Sequence, residues 1–443
     1  MSRFSQQFHS KKYFALFMLF VFSTFNPANS YAVDIQSVTS PKGIKALLVE
    51  DYTVPIIALS FSFKGGAAQD PEGKAGLLRL LSTMMDEGAG PYDNKEFQAR
   101  VEELGVEISF AAGRDAFNGS LRTLASKSVD SFEMLRLALI EPHFADEPID
   151  RMKTALITRL VRSRKSPGRL GSLAMREALF KGHPYEKSVS GSEKSLATLS
   201  RKDLVDVHHK LLARDNLKIG VVGAINAEKL AVILDEIFGA LPEKSVLQPI
   251  AEITPEFGKN IIVDLDVPQT SISLIFPGLK RNHKDFFAAH LMNHILGGGT
   301  FSSRLYEEVR EKRGLAYSVY SAISTYEHAA ILTSGTGTRN DRAAEALEVI
   351  KTEIAKMAKD GPTVEELDAA KKFVIGTYAI SNLDTSSKIA AVLVAIQDAD
   401  LGVDYIDRRE GYISSVTRKD VQRIAKQLLS VEPTIVKVGP KES

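Results

Sequence analysis

An internal repeat with an offset of about 217 residues is the feature that most limits what this chain can fold into. Ser200-Arg201-Lys202-Asp203-Leu204 leads to Leu211-Leu212 and then to Ile219-Gly220-Val221-Val222-Gly223. Thr417-Arg418-Lys419-Asp420-Val421 leads in the same way to Leu428-Leu429 and then to Ile435-Val436-Lys437-Val438-Gly439. In each copy a Ser or Thr cap opens an amphipathic helix, and an apolar strand ends on glycine. Earlier landmarks recur too. Val54-Pro55-Ile56-Ile57-Ala58-Leu59-Ser60-Phe61 and Val267-Pro268-Gln269-Thr270-Ser271-Ile272-Ser273-Leu274-Ile275-Phe276 both read as strands followed by a loop and a helix. A repeat this long is a duplicated domain rather than a solenoid unit of about 20–50 residues. The stretch Gly239 to Gly258, with Pro242, Pro249 and Pro255 and little periodicity, separates the copies. Two related domains are therefore expected, over residues 33–245 and 246–443, behind an N-terminal segment of residues 1–32.

Each copy mixes strand patterns with a run of consecutive helices. Asp130 to Ile140, Glu147 to Lys165 and Gly168 to Phe180 are examples. That order predicts an α+β fold in which each domain is an antiparallel sheet flanked by helices. No glycine-rich loop joins a strand to a helix, since Gly297-Gly298-Gly299 lies between two helices, the wrong context for a nucleotide. With 56 Lys+Arg against 55 Asp+Glu, the charge balance gives no sign of nucleic acid as a partner.

The first residues read as a targeting segment. Arg3, Lys11 and Lys12 precede a mostly apolar run from Tyr13 to Phe25, and Ser30-Tyr31-Ala32 fits a small-x-small cleavage site. The run is short against the ~20 residues that span a bilayer. Cleavage near Ala32 predicts an exported, periplasmic protein with no membrane span. The chain has no cysteine. Disulfides, thiolate zinc sites and thiol nucleophiles are thereby excluded.

Two helices hold equivalent places in the copies. Leu77, Leu80, Leu81, Met84 and Met85 form the apolar face of the first, and Ala288, Leu291, Met292, Ile295 and Leu296 that of the second. The other faces carry Arg79, Ser82 and Thr83 in the first helix and His290, Asn293 and His294 in the second, at i, i+3 and i+4. The second copy continues with Leu296-Gly297-Gly298-Gly299-Thr300-Phe301-Ser302-Ser303-Arg304-Leu305 and Val309-Arg310-Glu311-Lys312-Arg313-Gly314-Leu315-Ala316-Tyr317-Ser318-Val319.

With these residues in place, the mature chain resembles the pitrilysin/insulinase family of zinc peptidases, in particular the non-catalytic subunits of its mitochondrial-processing-peptidase-like members. The resemblance implies that Arg79, Ser82 and Thr83 stand where catalytic members carry the first zinc histidine, the general-base glutamate and the second histidine of H-x-x-E-H. A position near Arg159 stands where they carry the third ligand. Two imidazoles a helical turn apart, a distant carboxylate and an intervening base are what a zinc-bound water needs. Arginine has no lone pair to offer. No acid lies between Met152 and Gly168, and His143 is the only histidine between Val33 and Gly182. These positions therefore read as a degenerate zinc site.

The second-copy signature is nearly complete. In the family an Arg and a Tyr seven positions apart bind peptide and stabilise the tetrahedral intermediate, and the matching pair is Arg310 and Tyr317. Ser302 or Ser303 is expected to cap a helix through Arg313 that ends at Gly314, with Tyr317 opening an alternating strand. His290 and His294 read either as a metal pair or as packed histidines, with Asn293 in place of a base. His183-Pro184-Tyr185, Gly191-Ser192-Glu193 and Asp215-Asn216-Leu217 read as turns, caps and packing. The resemblance implies a non-catalytic, substrate-binding subunit of a heteromeric zinc peptidase. No cofactor is expected in this chain. Zinc would sit in a homologous H-x-x-E-H partner of a heterodimer, and peptides would be the substrates. The alternative is a peptide-binding or scaffold protein with no hydrolytic role.

Overall fold

The structure, a computed structural model, describes residues 34–441. The targeting segment expected over residues 1–32 lies outside the described residues. The first half runs β1 (Gln36–Thr39), β2 (Lys45–Glu50), β3 (Ile56–Lys64), α1 (Leu77–Ser82), α2 (Asn94–Leu104), β4 (Glu107–Ala112), β5 (Ala116–Leu124), α3 (Ser128–Ile140), α4 (Asp146–Arg162), α5 (Pro167–Leu179), α6 (Glu193–Ala197), α7 (Arg201–Leu211), β6 (Leu217–Gly223) and α8 (Ala227–Phe238). The second runs β7 (Asn260–Asp264), β8 (Gln269–Pro277), α9 (Phe286–Asn293), β9 (Ala316–Thr325), β10 (Ala330–Arg339), α10 (Ala343–Asp360), α11 (Val364–Asn382), α12 (Ser386–Asp398), α13 (Tyr405–Ser414), α14 (Arg418–Leu429) and β11 (Thr434–Gly439).

The duplication is visible in the sheets. The first has the order β1-β2-β6-β3-β5-β4 and the second β7-β11-β8-β10-β9. Each is antiparallel except for one parallel pair, β2 with β6 and β7 with β11. The repeated caps form as their chemistry dictates. Ser200 and Asp203 make a capping box at the start of α7, and Thr417 and Asp420 make another at the start of α14. The architecture is thus α+β, with two sheets flanked by helices. One large apolar cluster, including Phe61, Phe63, Leu80, Met84, Phe117 and Phe238, fills the first half, and a second, including Leu291, Met292, Ile350 and Ile424, fills the other.

Each sheet also receives a helix from the opposite half. Helix α12 lies across β6 and β3 of the first sheet. Its backbone comes so close that a Cβ on Gly220 would sit 2.4 Å from the Ala390 carbonyl oxygen. Gln397 donates from Nε2 to the Ile219 carbonyl at 2.9 Å, tying the helix to the strand. Helix α5 crosses β11, β8 and β7 of the second sheet. There Leu179 joins Ile275, Ile331, Val436 and Val438 in a third cluster. Among the described residues no single helix is long and apolar enough to cross a membrane; α11 and α12 together pass that test but are bent by 115° at their junction.

A polar clasp joins the halves beside this cluster. The Tyr185 hydroxyl donates to Asp115 Oδ1 at 2.6 Å and accepts from the His328 amide at 3.0 Å. Asp115 Oδ2 accepts from the Glu327 amide at 3.0 Å. The Arg114 guanidinium stands over the rings of Tyr185 and Tyr326, at 5.3 and 5.7 Å. The sequence landmarks near it are structural, as read. His183 Nδ1 accepts from the Tyr185 amide at 3.1 Å, Ser192 caps α6, and Asn216 Nδ2 donates to the carbonyls of Lys64 and Leu211 at 2.9 and 3.0 Å.

Two outcomes follow from this packing. Gly220→Ala forces a methyl against helix backbone that no side-chain rotation relieves, so denaturant unfolding is expected to show a loss of about 1–3 kcal/mol. An unchanged midpoint would mean that α12 does not rest on β6. His208 is buried, with Nε2 on the Leu139 carbonyl at 2.8 Å, and burial pulls its imidazole down from 6.5 to about 4. The folded state therefore takes up its proton later than the unfolded chain. Its contribution is complete above pH 6.5 and is lost as pH falls toward 4. Between those values wild type should lose up to about 1.4 kcal/mol per pH unit relative to His208→Gln. Parallel pH profiles of the two proteins would refute this.

Candidate functional site

Helix α1 begins at Gly76, whose φ of +92° suits glycine. Asp70 satisfies its first amides, with Oδ2 accepting from Gly76 at 2.7 Å and Oδ1 from Leu78 at 3.0 Å. Burial raises this carboxyl to about 6, against the backbone hydrogen bonds that lower it. Leu77, Leu78, Leu80 and Leu81 are buried in the first core. Arg79 is half-buried. The Ser82 hydroxyl donates to the Arg79 carbonyl and the Thr83 hydroxyl to the Leu80 carbonyl, both at 2.8 Å. Both hydroxyls are spent satisfying the helix end, which leaves neither poised as a base. Arg159 is exposed on α4. His143 packs at a turn, with Nε2 on the Gly90 carbonyl at 2.8 Å. Among the described residues no three His, Cys, Asp or Glu side chains come together in a group able to hold a metal ion.

At the equivalent place in the second half, His290 stacks on Phe286 with centroids 5.9 Å apart. Burial, with the Arg409, His294 and Arg281 charges behind it, holds His290 down at about 4. The Arg281 guanidinium stands 4.3 Å over the Phe286 ring. Burial also lowers His294, whose ring lies 5.0 Å from that of Phe373. These are neutral imidazoles packed among aromatic rings and guanidinia, and the positive charges beside His290 oppose a cation there. Asn293 is buried between them, and its Oδ1 has no hydrogen-bond partner.

Beyond α9 a second helix does begin, just after Ser303, but the chain departs from regular α-helical form. It forms π-helical turns over His294–Gly298 and Tyr306–Glu311, separated by a tight 3₁₀ turn over Thr300–Ser302. Ser302 and Ser303 do not cap. Their hydroxyls donate backwards, to the carbonyls of Gly299 at 3.0 Å and Thr300 at 2.9 Å. The left-handed backbone of Thr300, φ +49°, turns the chain at this point. The C-terminal end follows the sequence reading. Gly314 is left-handed at φ +59°, and Leu315 returns to the Val309 carbonyl at 2.9 Å. π-Helical turns are rare and recur at functional sites.

Arg310 and Tyr317 are brought together. The Arg310 guanidinium lies between two rings, 4.8 Å from the centroids of both Tyr306 and Tyr317. Phe301 meets Tyr306 edge-on at 5.1 Å. The nearest carboxylate to Arg310 is Glu311, at 3.8 Å. Tyr317 is the extra residue in a bulge, since Thr338 pairs with Ala316 while Gly337 pairs with Ser318. The bulge turns its side chain out of the ladder, leaving it 83% exposed. Among the described residues its hydroxyl makes no hydrogen bond. Tyr306 and Phe301 were not singled out from the sequence. The helical spacing of four between Tyr306 and Arg310 is the signal that carries the first.

Comparison with known proteins agrees with the fold. Residues 198–374 match the peptidase M16 inactive domain. A Helicobacter pylori protein named as the non-peptidase homolog YmxG is 23% identical, over 86% of this chain and 87% of its own length. A Bacillus subtilis protein named as an uncharacterized zinc protease, YmxG, is 23% identical over 92% of this chain and 98% of its own. The crystal structure of a peptidase M16 inactive domain from Pseudomonas fluorescens superposes with a TM-score of 0.87 at 27% identity, covering 93% of this chain and 98% of that one. Residues 198–374 thus match the peptidase M16 inactive domain, and the chain as a whole resembles the non-catalytic members of the pitrilysin/insulinase family.

Proposed function

We propose that this non-catalytic M16 protein is the substrate-binding subunit of an exported, periplasmic, heteromeric zinc metallopeptidase acting on peptides. A homologous subunit bearing H-x-x-E-H supplies the zinc and the general base, and this chain supplies Arg310 and Tyr317. The observation that carries the reading is the clamping of Arg310 between Tyr306 and Tyr317 beside a bulge. The rings fix the guanidinium by cation–π attraction while leaving its N–H donors for a ligand. A phenol and a guanidinium held this way suit a peptide carbonyl and the oxyanion that develops from it.

The test is reconstitution with an H-x-x-E-H subunit and measurement of joint peptidase turnover. Arg310→Ala and Tyr317→Phe are each expected to lower kcat/KM, by about 10²-fold where the lost group is an oxyanion donor. Full activity in both variants would sink the substrate role, and a chain that binds peptide but never a peptidase subunit would favour the scaffold alternative. Zinc is expected in the partner only. Metal analysis of the purified chain after dialysis should find no stoichiometric zinc, and one retained equivalent that disappears in His294→Ala would reverse that assignment.

A further inference from the structure

Past Met152, the C-terminal turns of α4 carry cations without anions, and they lie beside the start of α1. Two anchors fix how these helices lie. Past the end of α1, Glu87 takes an ion pair from Arg151, near the start of α4, at 2.5 Å. Before the start of α1, the Ala75 carbonyl accepts from Ser195 at 2.7 Å, and the neighbouring Glu193 binds Arg164, beyond the end of α4, in a two-pronged pair with one contact of 2.7 Å. The helices are therefore antiparallel neighbours, with the start of α1, which bears Arg79, toward the end of α4, which bears Arg159 and Arg162. Leu156 and Leu160 point into the core shared with α1, and Arg159 and Arg162 stand on the exposed side.

Glu87, Glu193 and Asp70, three acids near the ends of α1, are already committed. Glu87 also binds Asn94, and Glu193 is held by Arg164. Asp70 is buried on the amides of Gly76 and Leu78. No acid lies between Met152 and Gly168. Among the described residues, the guanidinia of Arg79, Arg159 and Arg162 meet neither a carboxylate nor any other hydrogen-bond acceptor. Elsewhere in the first half, Arg100, Arg122, Arg136, Arg151 and Arg164 all have acidic partners.

We propose that Arg79 and Arg159, supported by Arg162, form a binding site for a peptide carboxylate. The positive charge that a zinc ion would bring to this place is presented instead as guanidinium forks. A planar carboxylate accepts two parallel N–H bonds from such a fork, which a metal ligand set cannot offer and which lysine cannot reproduce. The site rests on the peptide-binding reading above and adds a chemical preference to it: acidic peptides, or peptides presenting a free C-terminus.

Three fluorescein-labelled decapeptides of otherwise equal sequence separate these sources. One is neutral with a C-terminal amide, one is neutral with a free C-terminus, and one is amidated with two internal glutamates. Fluorescence anisotropy with the full chain should show the carboxylate-bearing peptides binding at least about tenfold tighter than the neutral amide at low salt, with the advantage shrinking as salt rises. Arg79→Gln/Arg159→Gln should abolish that advantage and leave the neutral amide unchanged. Arg310→Ala should weaken all three alike. Equal affinities, or an advantage that survives the double substitution, would overturn the carboxylate site while an Arg310 effect kept the peptide reading standing. A preference lost in the double variant with no effect of Arg310→Ala would overturn the peptide reading and keep the site. Displacement of the peptides by inorganic phosphate at the same concentration as a free acidic peptide would show a general anion site and refute the peptide assignment. Failure of every peptide to bind would refute both.

Discussion

The structure depends on a reciprocal exchange of helices. A mixed sheet has two apolar faces, and each half covers only one of them with its own helices. Helix α12 closes the other face of the first sheet, and α5 closes the other face of the second. The exchange works because glycine stands where the contact is closest. Gly220 lets the backbone of α12 settle on β6, and Gly171 brings α5 within packing distance of Val438, 3.3 Å from its missing Cβ. The halves are thus joined through their cores, and the clasp of Asp115, Tyr185 and the Glu327–His328 amides adds fixed geometry on top of that burial.

This rigidity leaves the equivalent faces of the two halves free to diverge. In the first half the short helix α1 spends Ser82 and Thr83 on its own carbonyls, so these two hydroxyls serve local structure. In the second, burial and neighbouring guanidinia keep His290 neutral, and Phe373 covers His294. Chemistry-bearing groups that do reach solvent are of another kind: arginines without acids on α1 and α4, and one arginine held between tyrosine rings beside a bulged strand. All of these are hydrogen-bond donors without a lone pair to offer a metal.

Much of this was legible in the amino-acid order. Capping boxes at Ser200 and Thr417, the helices of the first half and the left-handed stop at Gly314 rest on interactions between residues close in sequence, so local pattern suffices to place them. That the chain carries no H-x-x-E-H needs no structure either, since it is read from residue identity. The Ser302–Ser303 cap is replaced by another local pattern, since both hydroxyls donate to carbonyls three residues earlier. Gly297 packs so tightly on β9 that a Cβ there would sit 2.6 Å from the Ser321 amide nitrogen, and the chain reaches Tyr306 through a left-handed Thr300 and π-helical turns.

What the sequence alone determined is therefore the duplication, the fold class and the absence of an H-x-x-E-H motif, because each follows from residue identity and short-range periodicity. Tertiary structure decided which sheet each helix covers, which arginines are left without acids, and how Arg310 comes to lie between Tyr306 and Tyr317. Those depend on contacts between segments far apart in the chain and on a one-residue bulge whose position is set by pairing with β10 rather than by the residues of β9 themselves.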